Sequence, residues 1–105
     1  MKIALANVPP DRADSIARAL VAEGLVACVN ILPVRSIYRW KGTVCDEPES
    51  TLVLKAPSDA MDRLRVRLLE LHPYELPEFV VLELDEAASL APYVAWVDSG
   101  GSVPG

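Results

Sequence analysis

The order of strand-like and helix-like segments limits the fold of this 105-residue chain more than any other sequence feature. A dense apolar run over residues 2–8 predicts a central strand, which Pro9-Pro10 ends. Apolar residues then recur at helical spacing as far as Gly24, a residue type that commonly ends helices, so the first helix is predicted to stop there. Strand-forming residues follow over 25–40.

The second half of the chain repeats this alternation. Residues 41–49 are predicted as a turn, and residues 50–55 as a strand antiparallel to the previous one. A second apolar stripe at helical spacing predicts a helix that ends at His72, because a residue before proline avoids the helical region. A fourth strand is predicted over 79–84 and a short third helix over 89–97.

This order, βαββαβ plus a C-terminal helix, is the split βαβ pattern of ferredoxin-like folds. We therefore predict one α+β domain over 1–98, with helices on one face of a four-stranded antiparallel sheet, and a flexible Gly-rich tail over 99–105. The strands carry more apolar surface than two helices can cover, so we expect the other face to be buried between subunits. The residues behind this expectation are Cys28, Leu32, Tyr38, Trp40, Leu52 and Leu54.

Acidic residues outnumber basic ones, 15 against 10, which gives a formal net charge of −5. A chain without an excess of Lys and Arg is poorly suited to neutralising phosphates, so we expect no nucleic-acid partner. No apolar run reaches the roughly 18 residues of a membrane helix, and none at the N-terminus suits a signal peptide. We therefore expect a cytoplasmic protein without membrane association, in which both cysteines are free thiols.

Five short motifs follow one another along the chain. They are Ala27-Cys28-Val29-Asn30, Ser36-x-Tyr38-x-Trp40-Lys41-Gly42, Glu49 before a strand that ends in Lys55, His72-Pro73-Tyr74-Glu75-Leu76-Pro77-Glu78, and Tyr93-x-x-Trp96. Their order and spacing over residues 2–97 resemble the divalent-cation tolerance protein CutA family. The resemblance implies a ferredoxin-like homotrimer, similar in architecture to the PII signalling proteins, with a role in tolerance of copper and other divalent metals.

Four residues are candidate metal ligands within that resemblance. A Cys28 thiolate suits Cu(I), and a trimer would supply three of them if the residue lies near its axis; the alternative is a small buried strand residue. His72 is the only histidine and would need ligands shared between subunits; its alternative role is to end a helix. Glu75 offers carboxylate oxygens, and Cys45, in an acidic stretch, is the weakest candidate.

The aromatic residues Tyr38, Trp40 and Tyr74 are typical of packing within a core and between subunits. The alternative is a cleft between subunits that they line, where Glu49 and Lys55 supply converging polar groups. A small ligand would bind in a cleft of this kind.

We expect no enzyme activity, because the sequence has neither a Gly-x-Ser-x-Gly motif nor a Gly-rich phosphate loop. The predicted function is divalent-metal tolerance by a homotrimer, with copper as the metal and no firm cofactor requirement. One alternative is a PII-like signalling or small-ligand sensor protein for which metal is incidental. Another is a structural trimer that acts through partner proteins.

Overall fold

Residues 1–102 are described by the structure, which is a computed structural model. The elements, in chain order, are β1 (Lys2–Val8), α1 (Pro10–Ala22), β2 (Cys28–Trp40), β3 (Thr43–Ala56), α2 (Met61–Leu71), β4 (Val80–Leu82) and α3 (Ala91–Asp98). The four strands form one antiparallel sheet in the order β2-β3-β1-β4. This arrangement confirms the predicted ferredoxin-like fold, although β4 is shorter than the strand predicted over 79–84.

The main core lies between the sheet and the helices α1 and α2. Side chains alternate along a strand, and every second residue of β1 and of the 50–56 part of β3 is buried toward the helices. The small residues Ala4 and Ala6 of β1 lie opposite Leu54 and Leu52 of β3, so large and small side chains share the layer. The expectation that Leu52 and Leu54 add to the uncovered face is therefore wrong.

The face of the sheet that α1 and α2 leave uncovered is called the open face. Helix α3 covers one corner of it, where Val94 and Val97 pack with Met1 and Ile3. The rest of this face carries apolar side chains that are partly or largely exposed in the single chain. They are Leu5, Leu32, Val53, Val80 and Leu82.

Strands β2 and β3 continue beyond the four-stranded part of the sheet. β1 stops pairing with β3 at Ser50, whereas β2 and β3 stay paired without a break as far as Trp40 and Thr43. Residues 34–49 therefore project as a two-stranded ribbon, called the arm. The arm makes the molecule elongated, with extents of 50 × 28 × 23 Å.

The turn predicted over 41–49 is wrong, because the chain reverses in two residues and β3 begins at Thr43. Lys41 and Gly42 both have positive φ, 49° and 80°, as a type I′ hairpin turn requires. β3 even includes Pro48. A strand of the arm has a neighbour on one side only, so a residue without an N–H is tolerated there.

The chain ends α1 and α3 in the same way. Gly24 and Gly100, with φ of 72° and 77°, follow the helices in the left-handed conformation that closes a Schellman motif. The predicted C-cap at Gly24 is thus confirmed. The predicted tail over 99–105 starts inside the hydrogen-bonded cap of α3, which residues 99–102 form, and residues 103–105 lie outside the described part of the chain.

Candidate functional site

A groove of about 700 Å³ runs between the β2 side of the arm and the segment 72–78 that follows α2. Its polar lining combines carboxylates with aromatic and basic side chains. The lining residues are Asn7, Arg35, Ser36, Ile37, Tyr38, Arg39, Trp40, Glu49, Tyr74, Glu75, Leu76 and Glu78.

His72 fixes the start of the segment 72–78. Its backbone is extended, with φ −82° and ψ 127°, which ends α2 before Pro73 as predicted. The buried imidazole lies 2.8 Å from the carbonyl oxygen of Asn7 through Nε2, and Nδ1 accepts the N–H of Tyr74 at 3.2 Å. Since a carbonyl can only accept, Nε2 carries the proton and both ring nitrogens are engaged.

Tyr74 joins the segment 72–78 to the arm. Its hydroxyl donates to Glu49 Oε2 at 2.8 Å, and Glu49 is only 7% exposed. Burial and this hydrogen bond to a carboxylate raise the pKa of Tyr74. Tyr38 makes a similar bond further along the arm, donating to Glu47 Oε2 at 2.9 Å, which with partial burial raises the pKa of Tyr38 to about 12.

Glu78 also lines the groove, and its pKa is shifted by its surroundings. Burial raises the pKa of Glu78, and the Glu49 carboxylate raises it further, while His72 acts in the opposite direction. Between the unfolded and native pKa values the native protein therefore binds more protons than the unfolded chain. The contribution of Glu78 to stability accordingly falls as the pH rises through that interval.

Two basic residues of the arm, Arg35 and Lys41, form exposed ion pairs, whereas Arg39, which lines the groove with Arg35, forms none within residues 1–102. Arg35 donates to both carboxylate oxygens of Asp46, at 2.8 and 2.6 Å, which raises the pKa of Arg35 and lowers that of Asp46. Lys41 Nζ lies 3.4 Å from Glu75 and 5.5 Å from the centre of the Trp40 ring. Exposed pairs of this kind add little stability. The Arg35–Asp46 pair joins the two strands of the arm, and the Lys41–Glu75 pair joins the tip of the arm to the segment 72–78.

Asn7, which no sequence motif marked as a site residue, also lines the groove. Its side-chain oxygen accepts the hydroxyl of Thr51 at 2.7 Å, and its carbonyl oxygen accepts from His72. Asn7 could have been noticed in the sequence, because it is the one amide side chain within the apolar run of residues 2–8. A polar residue at such a position is expected to have a specific hydrogen-bonding partner.

Four of the five predicted cleft residues line the groove: Tyr38, Trp40, Glu49 and Tyr74. Lys55 lies elsewhere, opposite Cys28 in the sheet, with Nζ 5.5 Å from the centre of the Tyr93 ring. Within a single chain Lys55 does not line the groove with the other four residues. Its participation in a cleft between subunits stays a prediction.

The four candidate metal ligands do not form one site within the chain. Among residues 1–102 no group of three or more His, Cys, Asp or Glu side chains is placed to hold a metal ion. Cys28 lies at the start of β2, Cys45 in the arm opposite Tyr38, and Glu75 against Lys41. A metal site built from these residues would need several subunits, and each assignment stays a prediction.

Tyr74→Phe is expected to lower the free energy of unfolding by about 1–3 kcal/mol, because the buried Glu49 carboxylate loses a hydrogen-bond donor. Urea unfolding at pH 7 measures the change. Tyr93→Phe is the matched control, since the Tyr93 hydroxyl makes no hydrogen bond within residues 1–102 and its loss should change stability little. Equal effects of the two substitutions would contradict a special role for the Tyr74–Glu49 bond.

The sheet order, the two helices on one face and the projecting arm define a PII-like protein of the ferredoxin-like class. The family model described as CutA1 divalent ion tolerance protein matches residues 3–100. The chain therefore belongs to the CutA1 divalent ion tolerance family.

Individual relatives agree with this assignment. The divalent-cation tolerance protein CutA of Thermus thermophilus is 45% identical over 87 residues, covering 81% of this chain and 84% of its own length. The solved structure of the PII-like protein CutA from Nostoc sp. PCC 7120 in apo form superposes with a TM-score of 0.94 at 55% identity, over 97% of this chain and 98% of that one. The mouse protein CutA is 37% identical over 86 residues, which cover 81% of this chain but only 48% of the mouse protein.

Proposed function

We propose that this protein contributes to divalent-metal tolerance as a homotrimer, with copper as the metal. The observation that carries the proposal is the match of residues 3–100 to the CutA1 divalent ion tolerance family.

The open face and the arm support self-association. Leu32, Val80 and Leu82 are 44–48% exposed on the open face of the single chain, and Ile37 and Val44 are each 64% exposed on the arm. Large apolar side chains grouped on one surface favour burial against another protein. A two-stranded ribbon is also marginally stable by itself in water, so the arm gains stability when another subunit packs on it.

Cys28 is the leading ligand in this proposal. In the sheet it lies opposite Lys55, and Ile3 also lies opposite Lys55, which puts all three residues on the open face. If three open faces meet in the trimer, three thiols become available to one soft ion, and thiolates favour Cu(I). His72 is the weaker candidate, because both of its ring nitrogens already take part in hydrogen bonds. Glu75 and Cys45 remain secondary candidates.

Titration of the fully reduced protein with Cu(I) against a competing chelator tests the metal assignment. We expect about one Cu(I) per three chains, as a shared site requires. Cys28→Ala should abolish binding at chelator-competitive affinity, whereas the matched variant Cys45→Ala should retain it. Unchanged binding in Cys28→Ala would show the leading ligand to be wrong, and no binding by the unsubstituted protein would make metal tolerance an indirect effect.

The second candidate function is a PII-like signalling or small-ligand sensor protein. The observation that favours it is the groove, which gathers Tyr38, Trp40, Glu49 and Tyr74 around a volume suited to a small molecule. Ligand stoichiometry separates the two functions, because a groove in every chain predicts three ligands per trimer. In neither candidate does the chain act as an enzyme, and a purely structural trimer is the outcome if neither metal nor small ligand binds.

The cellular location and the absence of other partners are also proposed. No helix within residues 1–102 is long and apolar enough to span a membrane. We propose a cytoplasmic protein without nucleic-acid or membrane partners, in keeping with its net charge of −5.

A further inference from the structure

We infer that the groove between the arm and the segment 72–78 binds a small organic cation, with its ammonium group beside Glu49 and its apolar part against the aromatic rings. The inference rests on the second candidate function and names the ligand class for it. It draws on the surroundings of Glu49, the alternation of side chains along the arm, and the size of the groove.

Glu49 is a buried acid with few partners. It is 7% exposed, and within residues 1–102 its side chain accepts only the hydroxyl of Tyr74, through Oε2. No buried side-chain oxygen in this range lacks a hydrogen-bond partner, so the second oxygen, Oε1, is open to solvent. A carboxylate has about four lone-pair positions, and a buried charge is normally paired or fully hydrogen-bonded. Because Glu49 also lines the groove, a cation bound there would supply the missing charge and donors.

Because side chains alternate along a strand, the two faces of the arm carry different charges. In the arm Glu49, Tyr38 and Trp40 lie on one face of the ribbon, whereas Arg35 and Arg39, which also line the groove, lie on the other. Arg35 is already paired with Asp46 at 2.6 Å. The face that carries the aromatic rings is therefore acidic.

The aromatic residues suit an ammonium group. A cation within about 6 Å of the centre of an aromatic ring is attracted to its face, and clusters of such rings recognise quaternary ammonium ligands. In the single chain Lys41 Nζ lies 5.5 Å from the Trp40 ring centre, so the ring accepts a cation, and a ligand would compete with Lys41 for this position. Leu76, 71% exposed, adds apolar surface at the groove for the uncharged part of a ligand.

The groove has room for such a molecule. Its volume of about 700 Å³ falls within the range of roughly 300–1,000 Å³ typical of small-molecule sites. The pKa of Glu78 is raised by burial and, to a smaller extent, by the Glu49 carboxylate, so a second acidic group of the groove lies within the electrostatic reach of Glu49.

Choline and its uncharged isostere 3,3-dimethylbutan-1-ol are the probes for the test, added separately to the full-length protein in its native oligomeric state. The readout is the indole N–H resonance of Trp40 in ¹H–¹⁵N NMR spectra, with Trp96 in α3 as the internal control. We expect choline to shift the Trp40 signal in a saturable manner and to leave Trp96 unchanged. The isostere should bind at least about tenfold more weakly, because it lacks the charge.

Glu49→Gln should weaken choline binding about tenfold and leave the isostere unaffected, since the amide keeps an acceptor for Tyr74 but removes the charge. If this variant does not fold, Glu78→Gln is the second test and should also weaken choline binding, because Glu78 lines the groove near Glu49 and lies outside the buried core. Glu70→Gln, on the exposed side of α2, is the control and should change nothing.

Equal binding of choline and the isostere would overturn the cation inference and leave the small-ligand function standing. No shift of Trp40 with either probe would also overturn the inference. A neighbouring subunit that fills the groove would produce this second result. Neither outcome alters the Cu(I) titration, so the metal proposal is judged independently.

Discussion

Leu32→Lys is expected to convert the proposed homotrimer into single chains of 11.4 kDa. Leu32 lies on the open face next to Thr51 and is 44% exposed in the single chain. An ammonium group buried between subunits would lose its hydration without gaining a partner, which costs several kcal/mol. Light scattering coupled to size-exclusion chromatography measures the mass directly.

Val66→Lys is the matched control for this substitution. Val66 is 55% exposed, but it lies on the outer side of α2, away from the open face. The variant should keep the mass of the unsubstituted protein. A single-chain mass for the unsubstituted protein contradicts the homotrimer, and a trimeric Leu32→Lys variant places the subunit interface elsewhere.

Leu52→Ala is expected to lower the free energy of unfolding by about 2–5 kcal/mol. The Leu52 side chain is completely buried between the sheet and the two helices, and its neighbour across the strands is the small residue Ala6. Because Ala6 cannot expand into the space, the truncation leaves a cavity in a closely packed layer. Urea unfolding followed by circular dichroism, at one fixed protein concentration, gives the difference.

Leu90→Ala removes the same atoms from a residue that is 73% exposed just before α3. It should change stability by less than about 0.5 kcal/mol. A similar loss in both variants would mean that the main core is not where the folding energy is concentrated. A loss in Leu52→Ala alone agrees with a core centred on β3.

The elements that could be predicted from the sequence are those that bury one side and expose the other, because their apolar residues then recur at a regular spacing. Helices α1 and α2 show a buried stripe, and their ends are marked by Gly24 and by His72 before proline. The arm could not be predicted in full, because its strand from Thr43 to Glu49 has little buried surface and therefore little alternation of apolar residues. This part of β3 is extended because its backbone pairs with β2. Such pairing uses backbone groups that any residue carries, so the side chains do not mark it.

Some residues of the site could likewise be predicted from the sequence, and others could not. Glu49 and Tyr74 were named from a motif pattern, and the structure joins them by a hydrogen bond of 2.8 Å. Lys55 shares β3 with Glu49, but it lies six residues further along the extended chain, near the end of the strand and about 20 Å away. Whether a second subunit returns a lysine to the groove depends on assembly, which residue patterns within one chain do not specify.

The arm also implies an order of events during folding. Its backbone pairs join residues close in sequence, from Trp40 with Thr43 to Val34 with Glu49, so the ribbon closes early. The pairing of Lys2 with Ala56 closes a much longer loop and follows later. If the arm is fully ordered only when other copies pack on it, the last stage of folding is bimolecular. Dilution would then slow the final ordering of the arm while leaving the first collapse of the chain unchanged.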